Sequence, residues 1–373
     1  MNGAGIPILI AGGGTGGHLY PGLALADTLT TRGLAVTFVG TAAGIEVRAV
    51  PAAGYPLRIL PGRQLRGGGV VRAAAGVAAA ARGALGGLAL LRELRPRIVI
   101  GVGGYASVAV VLAAWVRRIP TMLLEQNVVP GAANRLLGRL AAAVCVGFAE
   151  SAAFFPVGRA LYTGNPVRAG VLRAARMRAD RLDGRTRVLL FGGSAGAHRL
   201  NQAMLEAMGI LRPAGEALEV THQTGQADLD SVRAGYAGLG LPARVVPFIA
   251  DMGAAYATAD VVVARAGAMT CAELAAVGLP AILVPYPYAA DDHQRRNAEV
   301  LVRAGAAEMI LDRDLCGERL ATALGALLND PPRRAAMAAR ARALGRPEAG
   351  ARVAAACLVL LSPASTCVPT RSP

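Results

Sequence analysis

The chain has 373 residues, 54% of them hydrophobic, and a formal net charge of +15. All 39 basic residues are arginine, which excludes a Walker A phosphate loop, a Schiff-base enzyme and a lysine nucleophile. The length suggests two domains, and the hydrophobic content excludes an intrinsically disordered chain. The five cysteines are scattered without a C-x-x-C pair, so we expect neither a disulfide framework nor a zinc cluster.

The positive charge is concentrated in the first half. Residues 1–165 hold 15 arginines and only 5 acids, and residues 58–97 alone hold eight arginines. This asymmetry favours an anionic partner, such as nucleic acid, an anionic lipid or a phosphorylated substrate. The Ala-rich stretch Val70–Leu91 is too basic to span a membrane, because Arg72 and Arg82 lie within it and an Arg at the centre of a span costs about 2.5–3.5 kcal/mol on insertion. We expect the stretch either to lie on a membrane surface or to pack on a sheet.

Short apolar runs alternate with helical patterns along the chain. Strands are predicted at Ile6–Ala11, Ala35–Val39, Arg97–Val102, Thr121–Glu125, Val144–Gly147, Arg187–Phe191, Leu218–His222, Arg244–Pro247, Asp260–Ala264 and Ala281–Val284. Helical patterns are found at Gly22–Thr31, Ala197–Leu211, Thr270–Val277, His293–Arg303 and Pro331–Leu361. Several strands are continuous Val, Ile and Leu runs, as in parallel strands buried on both faces. The alternation predicts an α/β chain with doubly wound parallel sheets.

The sequence of strand, glycine-rich turn and helix occurs twice. Ile8–Ala11 runs into Gly12–Gly17, and Val188–Phe191 runs into Gly192–Gly196, with a Gly, Asn and Pro cluster at Thr163–Pro166 between the halves. We therefore predict two Rossmann-like doubly wound domains that face a central cleft. In such sheets, ligands bind beyond the carboxyl ends of the strands.

The domain boundaries follow from this repetition. We predict an N-terminal domain over residues 1–163 and a C-terminal domain over 164–345. Residues 346–373 are predicted to hold the end of the last helix and a disordered tail, because the tail contains three prolines and lacks periodicity.

The first glycine loop has the pattern G-x-G-x-x-G, which alone is a weak dinucleotide signal. The second strand ends at Thr41 without an acid, and Glu46 comes late, so a nicotinamide or flavin enzyme is disfavoured. Backbone N–H groups of Thr15–Gly17 are suited to a phosphate or a hydroxyl-rich ligand. His18 follows this loop and is a candidate general base, although a lone histidine is more often structural.

The second half carries a matching set of candidates. Ser194 lies in the second glycine loop, where a helix N-terminus attracts a diphosphate. Arg168 follows the interdomain cluster and is a candidate to neutralise a phosphate leaving group. Each has a simpler alternative, namely a tight turn for the loop and ordinary surface charge for the arginine.

A third group of candidates lies between Phe248 and Asn297. Ala268-Met269-Thr270 opens a predicted helix and offers N–H groups to a phosphate. Glu273, about one turn later, is suited to two hydrogen bonds from a ribose diol, or simply to a favourable place near a helix start. Asp291-Asp292-His293 resembles a metal cluster, but adjacent residues on a helix point in different directions, so no metal site is expected.

Six motifs in this order resemble one family. They are AGGGTGGHLYPGLALA (11–26), GVGGYAS (101–107), EQNVVPGAANRL (125–136), TGNPVR (163–168), FGGSAGAHRLN (191–201) and the segment Phe248–Asn297. Together they resemble the undecaprenyldiphospho-muramoylpentapeptide β-N-acetylglucosaminyltransferases of bacterial peptidoglycan synthesis. The resemblance covers about residues 6–345.

The resemblance implies a GT-B fold and an enzyme bound peripherally to the cytoplasmic face of the cell membrane. It implies transfer of N-acetylglucosamine from UDP-N-acetylglucosamine to the 4-hydroxyl of the muramoyl sugar of lipid I, with inversion, to form lipid II. The expected partners are therefore UDP-N-acetylglucosamine, lipid I and an anionic membrane surface, with no nucleic acid and no cofactor. Trp115, beside Arg117 and Arg118, is a further candidate for membrane contact.

The resemblance also implies site residues, position by position. The implied donor contacts are Arg168 and Ser194 to the diphosphate, Phe248 and Ile249 to uracil, the N–H groups of Ala268, Met269 and Thr270 to phosphate, Glu273 to ribose, and Gln294 to the sugar. The implied contribution of the first half is Thr15, Gly16, Gly17 and Asn127 for the sugar site, His18 as catalytic base, and Glu125 as a second candidate for that role. Some members have a Gln pair where this chain has His293-Gln294, so only Gln294 is carried over.

Two alternatives stay open at this point. A related GT-B transferase acting on a small soluble acceptor would share the fold and the donor residues. A nucleic-acid-binding protein would explain the charge of +15, but basic residues are not interleaved with aromatic ones, which make up only 4% of the chain.

Overall fold

The computed structural model describes residues 5–60, 83, 85–177, 185–193, 196–211 and 218–362. Three features of the sequence lie outside these residues. They are most of the Val70–Leu91 stretch, the loop residue Ser194 and the tail beyond Ser362. The described chain divides into two compact units: unit 1, formed by residues Met1–Pro166 with Glu348–Pro373, and unit 2, formed by Val167–Pro347.

The elements follow in chain order. The strands are β1 (Ile6–Gly12), β2 (Leu34–Gly40), β3 (Leu57–Ile59), β4 (Ile98–Gly103), β5 (Thr121–Glu125), β6 (Ala143–Val146), β7 (Ala160–Tyr162), β8 (Thr186–Phe191), β9 (Leu218–Gln223), β10 (Ala243–Val246), β11 (Val261–Ala264), β12 (Ala281–Leu283) and β13 (Ala307–Met309). The helices are α1 (Gly16–Thr30), α2 (Glu46–Ala52), α3 (Tyr105–Val116), α4 (Ala132–Leu137), α5 (Ala169–Met177), α6 (His198–Leu211), α7 (Leu229–Gly238), α8 (Met252–Thr258), α9 (Ala268–Val277), α10 (His293–Arg303), α11 (Gly317–Leu328), α12 (Pro331–Leu344) and α13 (Ala349–Leu361). Residues 85–94 are also helical, and short 3-10 turns lie at 149–154, 290–292 and 312–314.

Each unit is built on one parallel sheet. Unit 1 has the strand order β3-β2-β1-β4-β5-β6-β7, and unit 2 has β10-β9-β8-β11-β12-β13. All described strand pairs are parallel. The order in unit 2, and in the first six strands of unit 1, is that of the Rossmann fold. The predicted fold class, two Rossmann-like doubly wound units, is confirmed.

The core explains why the strands read as continuous apolar runs. Successive side chains of a strand point to opposite faces, and in β1 Ile8 and Ile10 pack in one buried cluster while Leu9 and Ala11 pack in another. Helices cover both faces, so neither face of the sheet offers room for the polar alternation of a half-exposed strand.

The predicted strands are confirmed to within one residue at each end, but some elements were missed. The three-residue strands β3, β7 and β13 escaped prediction because their apolar runs are too short to give a periodic signal. The helix predicted from Gly22 begins six residues earlier, at Gly16, with Pro21 inside it. Glycine and proline are weak helix formers, and the structure overrides that preference there.

The long helical region predicted at the C-terminus is two helices. A break at 345–348 separates α12 from α13, and Gly345, at the end of α12, approaches the backbone of Ala275 so closely that a side chain there would collide. Helix α13 packs on unit 1, where Val353, Ala354 and Cys357 join the core beside α1. Among the described residues, no helix is both long enough and apolar enough to cross a bilayer.

Candidate functional site

The topology brings the predicted residues to particular edges of the two sheets. In each sheet the strand order reverses beside the first strand, between β1 and β4 in unit 1 and between β8 and β11 in unit 2. Crevices beyond the carboxyl ends at such switch points are the usual ligand sites of this fold. Thr15–His18 follow β1, and Ala268–Glu273 follow β11. The structure therefore gives each unit one candidate site.

The glycine loop of unit 1 passes very close to the end of β4. Gly12, Gly13 and Gly14 have φ of 141°, 143° and 85°, which side-chain-bearing residues rarely adopt. The helix begins at Gly16, so Gly17 and His18 lie in its first turn, where the backbone N–H of His18 donates to the carbonyl of Thr15 at 3.2 Å.

His18 lies directly against β4. A side-chain carbon placed on Gly103 would come within 2.8 Å of Cδ2 of His18, so the imidazole packs on bare backbone. His18 is partly exposed, as Gly16 is, and Thr15 and Gly17 are exposed. An imidazole placed in this way remains accessible to a ligand while one side of the ring is held.

The carboxylate of Glu46 organises the same loop, and the sequence reading missed this role. Glu46 is 1% exposed. Its Oε2 accepts the backbone N–H of Gly14 at 2.8 Å, and its Oε1 accepts the backbone N–H of Thr41 at 2.8 Å and the Thr41 hydroxyl at 3.0 Å. Glu46 thereby ties the loop after β1 to the end of β2. The sequence reading considered this acid only as a late ribose ligand.

Glu125, the second candidate base, is occupied within its own loop. Its Oε1 accepts the backbone N–H of Asn127 at 2.9 Å and the Asn127 amide at 3.3 Å. Its Oε2 accepts the Asn134 amide at 2.9 Å and the backbone N–H of Gly131 at 3.3 Å. Burial raises the pKa of Glu125, and these four donors offset part of that rise. The geometry is that of a carboxylate that holds residues 127–134 in place.

In unit 2, two of the residues predicted to bind the nucleotide-sugar donor, Arg168 and Glu273, bind each other. Nε and Nη2 of Arg168 lie 3.1 and 2.9 Å from Oε1 of Glu273. The hydroxyl of Tyr256 donates to Oε2 of the same carboxylate at 3.1 Å. Glu273 is 4% exposed and Tyr256 is fully buried. Burial raises the pKa of Glu273, and Arg168 and Tyr256 act in the opposite direction. Tyr256 gave no sequence signal, because it lies 17 residues from Glu273 in another helix.

The other predicted donor residues lie on the loops and helix starts of unit 2. Ala268, Met269 and Thr270 form the first turn of α9, with Gly267 as its N-cap. Phe248 is exposed and Ile249 is buried in the loop after β10. Gln294 uses its side-chain oxygen to accept the backbone N–H of Tyr286 at 2.9 Å, which leaves its amide N–H groups to other acceptors.

Arg265 and Asp312 connect two loops at the same edge. Nη1 of Arg265 lies 2.6 Å from Oδ1 of the buried Asp312, and Nη1 of Arg199 lies 2.9 Å from Oδ2. The guanidinium of Arg265 also lies 5.7 Å from the centre of the Tyr286 ring. Within the described residues, no three His, Cys, Asp or Glu side chains are grouped to hold a metal ion.

A buried polar network underlies the second glycine loop. Nδ1 of His222 lies 3.1 Å from the hydroxyl of Tyr236, and Nε2 lies 3.0 Å from Oδ1 of Asn201. The amide of Asn201 donates to Oδ2 of Asp228 at 2.7 Å. The neighbouring Gln223 amide donates to the carbonyl of Gly193 in the loop. Burial lowers the pKa of His222 from its ordinary 6.5 to about 4.

Both units match one family of enzymes. Residues 8–146 match the N-terminal domain of glycosyltransferase family 28, and residues 187–353 match its C-terminal domain. A protein of Anaeromyxobacter dehalogenans (strain 2CP-1) is 47% identical over 95% of this chain and 93% of its own length. A protein of Myxococcus xanthus (strain DK1622) is 46% identical over the same shares. Both are named UDP-N-acetylglucosamine--N-acetylmuramyl-(pentapeptide) pyrophosphoryl-undecaprenol N-acetylglucosamine transferase.

A solved structure shows the same similarity. The crystal structure of Acinetobacter baumannii MurG is 30% identical, has a TM-score of 0.77 and covers 95% of this chain and 99% of that chain.

The His222 network predicts a specific loss of stability in acid. Between pH 6.5 and 4 the unfolded chain binds a proton that the folded chain excludes, so the free energy of unfolding falls as the pH falls, by about 3 kcal/mol in total. We expect His222→Gln to reduce the dependence of the free energy of unfolding on pH between 6.5 and 4, as measured by denaturant titrations at each pH. His293→Gln, outside the network, is the control. An unchanged slope in the His222 variant would contradict the assignment.

Proposed function

Because the chain belongs to glycosyltransferase family 28, we propose that it transfers N-acetylglucosamine from UDP-N-acetylglucosamine to lipid I. Lipid I is undecaprenyl-diphospho-muramoylpentapeptide, the acceptor is the 4-hydroxyl of its muramoyl sugar, and the product is lipid II of peptidoglycan synthesis. The observation that carries this proposal is the similarity, over nearly the whole chain, to transferases named for this reaction.

Unit 2 is the proposed donor-binding unit. Arg168 neutralises the buried carboxylate of Glu273. A phosphate, like a carboxylate, can bind a guanidinium through two parallel hydrogen bonds, so we propose that bound donor draws Arg168 onto its phosphates. The carboxylate of Glu273 then accepts the ribose hydroxyls in place of the guanidinium, while Tyr256 keeps its orientation through Oε2.

The charge that develops on departing UDP needs further donors. The N–H groups of Ala268, Met269 and Thr270 open α9 and carry the positive end of its dipole. Since the chain has no lysine, the cationic side-chain contact to phosphate falls to arginine, unless a histidine is protonated. We propose that Arg168 and this helix terminus stabilise the leaving group. Phe248 and Ile249 are the proposed uracil contacts and Gln294 a sugar contact.

Inversion in one step requires a base for the acceptor hydroxyl and no covalent nucleophile. The acceptor oxygen bonds to the anomeric carbon as the bond to the UDP oxygen breaks, and the hydroxyl proton passes to the base. We propose His18 for this role, because its ring is partly exposed and held against Gly103. Glu125 is the weaker candidate, since its oxygens already accept four hydrogen bonds in its own loop. Thr15, Gly16, Gly17 and Asn127 are the proposed sugar contacts of unit 1.

Contact with an anionic membrane surface, on its cytoplasmic face, is proposed for unit 1. Trp115 and Val116, at the end of α3, are 50% and 64% exposed. Arg117 and Arg118 follow directly and are exposed as well. An indole beside cationic side chains is suited to the interface of a bilayer with anionic lipids.

A product assay tests the function directly. With labelled UDP-N-acetylglucosamine we expect transfer to a lipid I analogue and not to soluble muramoyl acceptors, with inverted configuration at the new bond. Vesicles that contain anionic lipid should raise the rate over neutral vesicles, and Trp115→Ala should reduce that gain. Transfer to soluble acceptors alone would instead identify a related transferase that acts on a small molecule.

The donor site predicts graded losses of affinity. Glu273→Gln removes one ribose acceptor and the charge that holds Arg168, so we expect the KM for UDP-N-acetylglucosamine to rise about 10–100-fold, as for a lost charged hydrogen bond. Tyr256→Phe should raise it by less, about 2–10-fold. Tyr55→Phe, which removes a hydrogen-bonded phenol hydroxyl in unit 1, should leave donor kinetics unchanged. Unchanged donor kinetics in Glu273→Gln would exclude the assignment.

The proposed base predicts a loss of turnover. We expect His18→Gln to lower kcat about 100–10,000-fold, with little change in the KM for donor. The acidic limb of the pH–rate profile should disappear in the same variant. If that limb persists in His18→Gln and disappears in Glu125→Gln, Glu125 is the base.

A further inference from the structure

We propose that Glu46 is a positioning residue for transfer: its buried carboxylate fixes the glycine loop that leads to His18. The inference rests on the proposed function and adds to it a residue outside the motifs that identify the family. Glu46 lies 32 residues from Gly14 in sequence and touches none of the proposed substrate contacts through a described hydrogen bond.

Both oxygens of the Glu46 carboxylate are held by hydrogen bonds. Three donors reach it from two loops: the backbone N–H of Gly14, the backbone N–H of Thr41 and the Thr41 hydroxyl. A buried carboxylate is costly unless such donors compensate it. The two backbone donors therefore stay in place, and the loop after β1 keeps a fixed position relative to β2.

The glycines around Glu46 fit the same carboxylate sterically. A side-chain carbon on Gly13 would lie 2.6 Å from Cδ of Glu46. Carbons placed on Gly40 and Gly44 would overlap its Cγ and Oε2 still more severely. Gly40 and Gly44 do not have left-handed φ values, so backbone conformation does not explain them. The space that the Glu46 side chain needs explains why both positions are glycine.

This arrangement has a functional consequence. A glycine-rich loop before a helix commonly offers its N–H groups to a phosphate, but here the carboxylate of Glu46 occupies that of Gly14. The carboxylate of Glu46 thus takes the place that an anionic ligand would have at Gly14, and it fixes this part of the loop. Two residues later α1 begins, and its first turn holds His18. Displacement of the loop by even about 1 Å would misplace the base relative to the acceptor hydroxyl.

Graded variants of Glu46 and Thr41 test the proposal. Glu46→Gln keeps the shape of the side chain but places its amide N–H against one of the backbone N–H donors. The hydrogen bond at that donor is lost, and that part of the loop is no longer held. We expect kcat to fall about 10–100-fold and the KM for UDP-N-acetylglucosamine to stay within about 2-fold. The Tm of unit 2, the proposed donor-binding unit, should be unchanged. Thr41→Val, which removes only the hydroxyl donor, should lower kcat by less. Glu348→Gln, a partly exposed acid of unit 1 that pairs with Arg352, is the matched control.

A double-mutant cycle tests the steric part. Gly44→Ala alone should lower kcat through its collision with Glu46. In the Glu46→Ala background the same change should have little further effect, so the two losses are not additive. Additive losses would contradict the proposal, and so would an unchanged kcat in Glu46→Gln.

Stability separates positioning from folding. Loss of donor binding and folding together with kcat in Glu46→Gln would assign Glu46 a purely structural role and overturn the inference. Transfer by the wild-type chain in the same assay reports on the proposed function separately. A failure of the role proposed for Glu46 can therefore be told apart from a failure of the proposed function.

Discussion

Parallel strands that end at one edge bring their loops together there, and the polar groups of those loops need partners where water is excluded. In the described residues the buried acids are Glu46, Glu125, Glu273 and Asp312. All four lie at the carboxyl edge of a sheet, at the end of β5 or after β2, β11 and β13. Because an unpaired buried carboxylate is costly, each one fixes the groups around it. These four acids therefore fix the positions of the loops that form the candidate sites.

The two units use this device differently. In unit 1 the acids accept backbone N–H groups, amides and a hydroxyl, donors that remain in place when a ligand binds. In unit 2 Glu273 and Asp312 bind arginine side chains, which can turn toward an anion. A rigid loop suits the role proposed for unit 1, which is to position an acceptor and a base. An exchangeable guanidinium suits the role proposed for unit 2, which is to bind and release a diphosphate.

Much of this could be read from the sequence, and what was missed has a common cause. Continuous apolar runs located the long buried strands, and the repeated strand–glycine–helix pattern located both switch points. The roles of Glu46 and Tyr256 could not be read, because each depends on partners brought together only by the fold. The pairing of Arg168 with Glu273, 105 residues apart, is of the same kind. Local patterns show where a chain turns and which surface is buried, but not which buried acid meets which donor.

We propose that donor binding exchanges the partners of Arg168 and Glu273, and a crystal structure of the chain with UDP-N-acetylglucosamine tests this exchange. We expect the ribose hydroxyls on the Glu273 carboxylate, the diphosphate on Arg168 and the first turn of α9, and the Tyr256 hydroxyl still on Oε2. A nucleotide bound elsewhere, or a ribose remote from Glu273 with its bond to Arg168 intact, would contradict it.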